Sequence, residues 1–208
     1  MNRKELMAFE KDIFDSYEKA QIRAPVHLCG GNEKQLIEIF KKIKKDDWIF
    51  STHRSHYHAL LKSNDPEWVR EEIFAQRSSH INSKKYKIFT SAIVGGNIAP
   101  ALGVAMAIKR KKGKERVWCF IGDMAAETGI FHECYTSTIH NAFPLTFVIE
   151  DNGWSVYTPT RKAWFINGSS GRTNTKMQLT RGNFPLHIIR YKYKRIYPHY
   201  GIGKFITF

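Results

Sequence analysis

The 208-residue chain is 42% hydrophobic, 25% charged and 13% aromatic, enough apolar material for one sizeable core, which excludes wholesale disorder. No apolar run approaches the ~18 residues of a membrane helix, so one globular domain over residues 1–208 with no membrane partner is expected. Thirty-three basic against 19 acidic residues leave a net charge of +14, which points to acidic company: nucleic acid, an anionic membrane, a phosphorylated small molecule or an acidic subunit.

Over residues 3–20, Leu6, Phe9, Ile13, Phe14 and Tyr17 recur at three- and four-residue spacing, which predicts an amphipathic N-terminal helix within 1–21. The opening MNRKELMAFEKD has no apolar stretch, so no secretory leader is expected. After Gly30-Gly31 the pattern returns over 33–45 with Leu36, Ile37, Phe40 and Ile43, until Asp46-Asp47 stops it. Trp48-Ile49-Phe50 is a short strand leading into the polar Ser51-Thr52-His53-Arg54. A helix over 56–62 follows, then another opened by Asp65-Pro66-Glu67, with Asp65 as N-cap and Pro66 in the first turn. Residues 75–90 are polar and irregular. Over 98–110, Ala99, Ala101, Gly103, Ala105 and Ala107 punctuate an apolar helix, predicting close approach to another backbone.

The clearest pattern comes next. Val117-Trp118-Cys119-Phe120-Ile121 is a buried strand, Gly122-Asp123 a turn, residues 127–141 a helix, and Leu145-Thr146-Phe147-Val148-Ile149 a second buried strand. Two apolar strands joined by a helix make a right-handed crossover and a parallel pair, hence an α/β fold with a parallel sheet flanked by helices. Ligands of such sheets bind beyond the carboxyl ends of the strands, where this chain has Gly122-Asp123 and Asp151-Asn152-Gly153. Neighbouring strands lie ~4.8 Å apart, so Asp123 and Asn152 can converge. A carboxylate and an amide oxygen are hard ligands suited to magnesium, which shares its octahedron with phosphate oxygens. An aspartate after a strand also serves as an N-cap and Asn-Gly as a turn, so the local pattern leaves both readings open.

The spacing resembles a known motif. Gly122-Asp123-Met124-Ala125-Ala126-Glu127, with Asn152 following Asp123 by 29 positions (152 − 123), is similar to the thiamine diphosphate motif. The segments IRAPVHLCGGNE (22–33), STHRSHYHALL (51–61), SSHI (78–81), IVGGNIAPALGVAMA (93–107), FIGDMAAETGIFHECY (120–135) and FVIEDNGWSVYTPT (147–160) extend the likeness over two thirds of the chain. Together they resemble the alpha subunit of thiamine diphosphate-dependent 2-oxo acid dehydrogenase first components, of the pyruvate, branched-chain and acetoin type.

This resemblance implies a thiamine diphosphate-binding fold. It implies magnesium held by Asp123, Asn152 and the carbonyl of Trp154, and diphosphate approached by Gly122, Met124 and Ala125 at a helix N-terminus and clamped by Arg54. It also implies Val94 against the aminopyrimidine ring, His56 and His80 lining the reacting carbon, and His199 as a catalytic-loop candidate near Arg195. Three positions depart from the family: Met124 replaces the second glycine of Gly-Asp-Gly, Asp151 the first asparagine, and His53 the tyrosine before Arg54. Beyond Pro159 the resemblance fades, and residues 161–208 are expected to form a shortened, divergent part, with Pro185-Leu-His-Ile-Ile as a core strand. The alternating Arg190 to Tyr197 basic and aromatic residues could equally be an edge strand.

The implied activity is oxidative decarboxylation of a 2-oxo acid with acyl transfer to a lipoyl group. It is expected only in an α2β2 heterotetramer, whose beta subunit brings the pyrimidine-side glutamate, and next to a lipoyl acyltransferase core. A transketolase-like or acyloin enzyme half is the near alternative. A non-catalytic scaffold subunit or a basic nucleic-acid-binding module is the alternative of another class, the latter ranked low because its basic residues fall in separate places. Cys29, Cys119 and Cys134 form no C-x-x-C and fit a reducing, cytoplasmic setting.

Overall fold

The computed structural model describes residues 1–163, 187–199 and 201–204. Five strands form one fully parallel sheet: β1 (Trp48–Thr52), β2 (Ile88–Ser91), β3 (Val117–Gly122), β4 (Leu145–Asp151) and, beyond a two-residue hairpin β5 (Trp154–Ser155) and β6 (Thr158–Pro159), β7 (Ile188–Lys192). Their spatial order is β2-β1-β3-β4-β7. The chain starts at β1, adds β2 to one side, then crosses to β3 on the other. That reversal is a switch point at which the carboxyl ends of β1 and β3 part and leave a crevice.

Both faces of the sheet are covered, and strand alternation shows it. Ile49, Trp118, Phe120, Val148 and Ile189 point into a core shared with α1 (Arg3–Glu18), α2 (Glu33–Phe40), α3 (His56–Ser63) and α4 (Pro66–Glu72). Phe50, Cys119, Ile121, Phe147 and Ile149 point the other way, against α5 (Ile98–Arg110) and α6 (Gly129–His140). A strand buried on both faces has no polar alternation, which is why β3 and β4 read as continuous apolar runs. Full burial of a side chain such as Phe120 contributes ~2–3 kcal/mol.

Most predicted elements are present, and Asp65 caps α4 by accepting from the Trp68 N–H at 3.1 Å. Three expectations need correction. The second helix ends at Phe40, because the residues that follow leave the helix for turns. Residues 75–90 are not all irregular: β2 begins at Ile88, an edge strand too short to show a period. The small residues of α5 do not all meet another backbone; Gly103 has no atom within 4 Å of where a Cβ would stand, and Ala99, Pro100, Met106 and Ala107 face solvent. Pro185 and Leu186 lie outside the described residues, and the expected last core strand is seen from Ile188 onward at the other edge of the sheet.

Candidate active site

One cavity opens at the carboxyl ends of all five parallel strands. Thr52, His53 and Arg54 come from β1 and its exit, Ser91 to Gly95 from β2, Gly122 to Ala125 from β3, Glu150 and Asn152 from β4, and Tyr193, Arg195 and His199 from beyond β7. Trp154, Ser155 and Val156 of the hairpin close one side. The enclosed volume is about 140 Å³, below the ~300 Å³ at which pockets for whole cofactors begin. One wall is incomplete: Ile93 and Val94 stand beside the cavity 76% and 72% exposed.

Of the eleven residues singled out from the sequence, nine line this cavity: Arg54, Val94, Gly122, Asp123, Met124, Ala125, Asn152, Trp154 and His199. His56 and His80 do not. His56 is fully buried, with Nδ1 2.9 Å from Glu10 Oε1 and Nε2 2.9 Å from Ser78 Oγ, so one ring nitrogen holds α3 to α1 and the other holds it to the segment after α4. His80 is exposed, its Nδ1 paired with the Ser79 hydroxyl at 2.8 Å. His58, two residues on in α3, is buried with Nδ1 2.6 Å from Ser51 Oγ and serves the structure.

Asp123 leaves β3 with its Oδ2 buried and without a hydrogen-bond partner among the described residues. Its other neighbour is Asp151, and burial together with that second carboxylate raises Asp123 to about 6. Burial acts on Asp151 in the same sense. There it is outweighed by Arg190, whose Nη2 donates to Oδ2 at 2.7 Å and holds the group below the ordinary carboxylate range. Asn152 Oδ1 accepts from the Trp154 N–H at 2.8 Å, a turn that keeps Asn152 and Trp154 together on the lining of the cavity that Asp123 shares. An unpartnered carboxylate oxygen, an amide oxygen and a nearby backbone form a hard donor set, and these residues fit a magnesium ion.

Met124 sits in ordinary right-handed backbone (φ −74°, ψ −31°), so the turn does not need the glycine that the motif has there; only the room taken by its side chain distinguishes it. A Cβ on Gly122 would meet nothing within 4 Å, leaving open space toward the cavity. After β3 comes a 3-10 turn, Ala125–Glu127, and α6 starts only at Gly129. The amides of Met124 and Ala125 therefore belong to that turn rather than to a helix N-terminus. Arg54 is held as a strut: it donates to the Leu28 carbonyl and, at 3.1 Å, to the carbonyl of His199.

Glu150 and Tyr193 on the cavity lining, and His27 beside it, carry no signal in the sequence that singles them out. Glu150 closes the cavity floor, where it accepts from Asn32 Nδ2 at 3.0 Å and from the Tyr191 hydroxyl. Tyr193 and Arg195 lie in the basic, aromatic run; Tyr193 reaches Asn152 Nδ2 at 3.4 Å, and Arg195 stacks 5.0 Å over the Trp154 ring. His27, within IRAPVHLCGGNE, is brought against His53, the residue that departs from the family's tyrosine. Burial first, then His53 and Arg54, lowers His27 to about 3, and burial with Arg54 lowers His53 to about 4. Among the described residues no helix is long and apolar enough to cross a membrane.

Residues 1–175 match the family described as dehydrogenase E1 component. The alpha subunit of acetoin:2,6-dichlorophenolindophenol oxidoreductase from Bacillus subtilis (strain 168) is 30% identical over 165 residues, covering 74% of this chain and 50% of that protein. Pyruvate dehydrogenase E1 component subunit alpha is 29% identical in Porphyra purpurea, over 71% of this chain and 48% of that one. The Rickettsia bellii counterpart is 24% identical, over 77% and 52%. The chain thus spans about half the length of the curated relatives it matches. A solved structure of an enzyme described as thiamin diphosphate-dependent, from Mycobacterium smegmatis, aligns with TM-score 0.42 and 14% identity over 62% of this chain and 22% of that one.

Proposed function

This chain belongs to the dehydrogenase E1 component family, and on that premise we propose that it is the alpha-type half of a thiamine diphosphate-dependent enzyme acting on 2-oxo acids. The observation that carries the reading is the convergence of Asp123, with its unpartnered buried oxygen, and Asn152 at the ends of adjacent parallel strands. Asp123, Asn152 and the Trp154 carbonyl would hold magnesium, and Gly122, Met124 and Ala125 would border the diphosphate. When bound, thiamine diphosphate supplies the carbanion chemistry that cleaves the bond next to a carbonyl.

The chain's own residues anchor and orient. Arg190 neutralises Asp151, the extra negative charge beside the metal position. Arg54 ties the β1 exit to the loop after β7, fixing the wall that carries His53 and His199. Burial first, then Arg54 and Arg195, lowers the pKa of His199 and keeps its ring neutral in the cavity. The exposed Ile93 and Val94 are the edge at which a beta subunit completes the site and brings its glutamate to the aminopyrimidine, within an α2β2 assembly. A lipoyl acyltransferase core would be the acyl acceptor in this reading, and three buried free thiols suit a reducing cytoplasm. The acetoin-oxidising relative favours a second reading within the same cofactor class, an acyloin as donor.

The test is calorimetric titration with thiamine diphosphate and magnesium, alone and with candidate beta subunits, using Asp123→Ala as control. Magnesium-dependent heat that disappears in the variant is expected, with 2-oxo acid and acyloin turnover then compared in the reconstituted assembly. Silence in every mixture would overturn the assignment.

A further inference from the structure

At the edge of the cavity three imidazoles face one another. His27 comes from the loop between α1 and α2, His53 from the exit of β1 and His199 from the loop after β7. Ring centroids are 4.5 Å apart for His27 and His53, 5.3 Å for His27 and His199, and 5.5 Å for His53 and His199, all edge-on. One nitrogen of each ring lies within 4.8 Å of one nitrogen of each of the others. His27 Nδ1 is buried and has no hydrogen-bond partner among the described residues, an orphan polar atom that a native interior normally satisfies.

We propose that His27, His53 and His199 form a binding site for a divalent transition-metal ion of the zinc and cobalt class, separate from the oxygen site at Asp123 and Asn152. Imidazole nitrogens select this class of ion and leave magnesium and calcium to oxygen donors. Three protein nitrogens with a fourth position open to water is an arrangement these ions accept, with bonds of ~2.0–2.1 Å. A tetrahedral ion draws its ligand nitrogens to roughly 3.4 Å from one another, so binding requires the three rings to close from their present spacing of up to 4.8 Å. His53 and His199 also line the cofactor cavity, so the open position faces into it. A bound ion ties the loop after β7 to the β1 exit, the connection that Arg54 already makes through the His199 carbonyl. Arg54 opposes a second cation by charge repulsion, an effect the three imidazoles must exceed.

The test uses the tag-free full chain titrated with cobalt(II), followed by visible ligand-field absorption and calorimetry. One equivalent is expected to bind with a tetrahedral spectrum. His53→Tyr and His27→Gln should each weaken it at least ~10-fold, the loss that even a supporting partner of a metal ligand causes. Thermal melts establish that the variants fold, and His53→Tyr stands alone if His27→Gln does not. No tetrahedral spectrum, or an affinity unchanged in a folded His53→Tyr, overturns the proposal. Asp123→Ala should leave the cobalt spectrum intact while removing magnesium-dependent cofactor binding, so failure of this site and failure of the cofactor reading are distinguishable.

Discussion

Replacing His56 by leucine should destabilise the chain heavily, because the ring is part of the interior. His56 and Glu10 are both 0% exposed and Ser78 is 1% exposed, and the ring bridges the other two at 2.9 Å on each side. Without it the Glu10 carboxyl group keeps no partner: its Oε2 already has none among the described residues, and Oε1 loses the imidazole. Removing one member of a buried pair costs ~3–5 kcal/mol, because the other is left uncompensated in a low-dielectric interior. For a chain of this size each kcal/mol moves Tm by ~2–4 °C, so a fall of roughly 6–20 °C is expected. Adding Glu10→Met removes the stranded carboxyl group and should recover most of the loss, making the double variant more stable than His56→Leu alone. Urea unfolding followed by circular dichroism, with all four forms of the cycle, measures this. A cost under ~1 kcal/mol for His56→Leu, or a double variant no better than the single, would refute the structural role and return His56 to the list of reacting groups.

Acidification should weaken the fold through the histidine wall. His27 (about 3) and His53 (about 4) are neutral in the folded chain, while the unfolded chain binds protons through 6.5, so stability is full above that value and is lost as pH falls below it. Asp123, raised to about 6, acts in the opposite sense with one carboxyl group. After discounting for partial exposure, a net loss of ~1–3 kcal/mol between pH 7.5 and 5 is expected, and equal urea midpoints at the two values would contradict it. Gly31→Ala should cost ~1–3 kcal/mol, since Gly31 has φ +99° and a Cβ there would stand 2.0 Å from the Lys194 carbonyl oxygen, whereas Gly122→Ala should leave Tm nearly unchanged. Similar melts for the two variants would show that the loop after β7 does not depend on that approach. Cys29 and Cys119 are buried with thiols pushed up by burial, and Cys134 is buried as well, so native chain should resist iodoacetamide until urea is added. Rapid native labelling would mean that the core opens.

Hydrophobic patterning by itself determined the central architecture. The apolar runs of β3 and β4 and the small-residue helix α5 announce strands and helices wherever burial is continuous, and Asp123 and Asn152 follow from the rule that parallel strands gather their exits at one end. The likeness of the short motifs then pointed to a cofactor, and nine of the eleven residues it named line the cavity. Periodicity is silent on β2, a short edge strand, and on which histidines reach the cavity. His53 and His56 are three residues apart, yet one faces the cavity and the other is locked to Glu10, because α3 begins at His56 and turns it toward α1. His27, His53 and His199 meet only because the sheet places β1 and the exit of β7 on a common end, with the α1–α2 loop folded over them. Their sequence neighbours carry information about burial and turn formation, while contact among ring nitrogens is fixed by strand order, and strand order is a property of the whole packed chain.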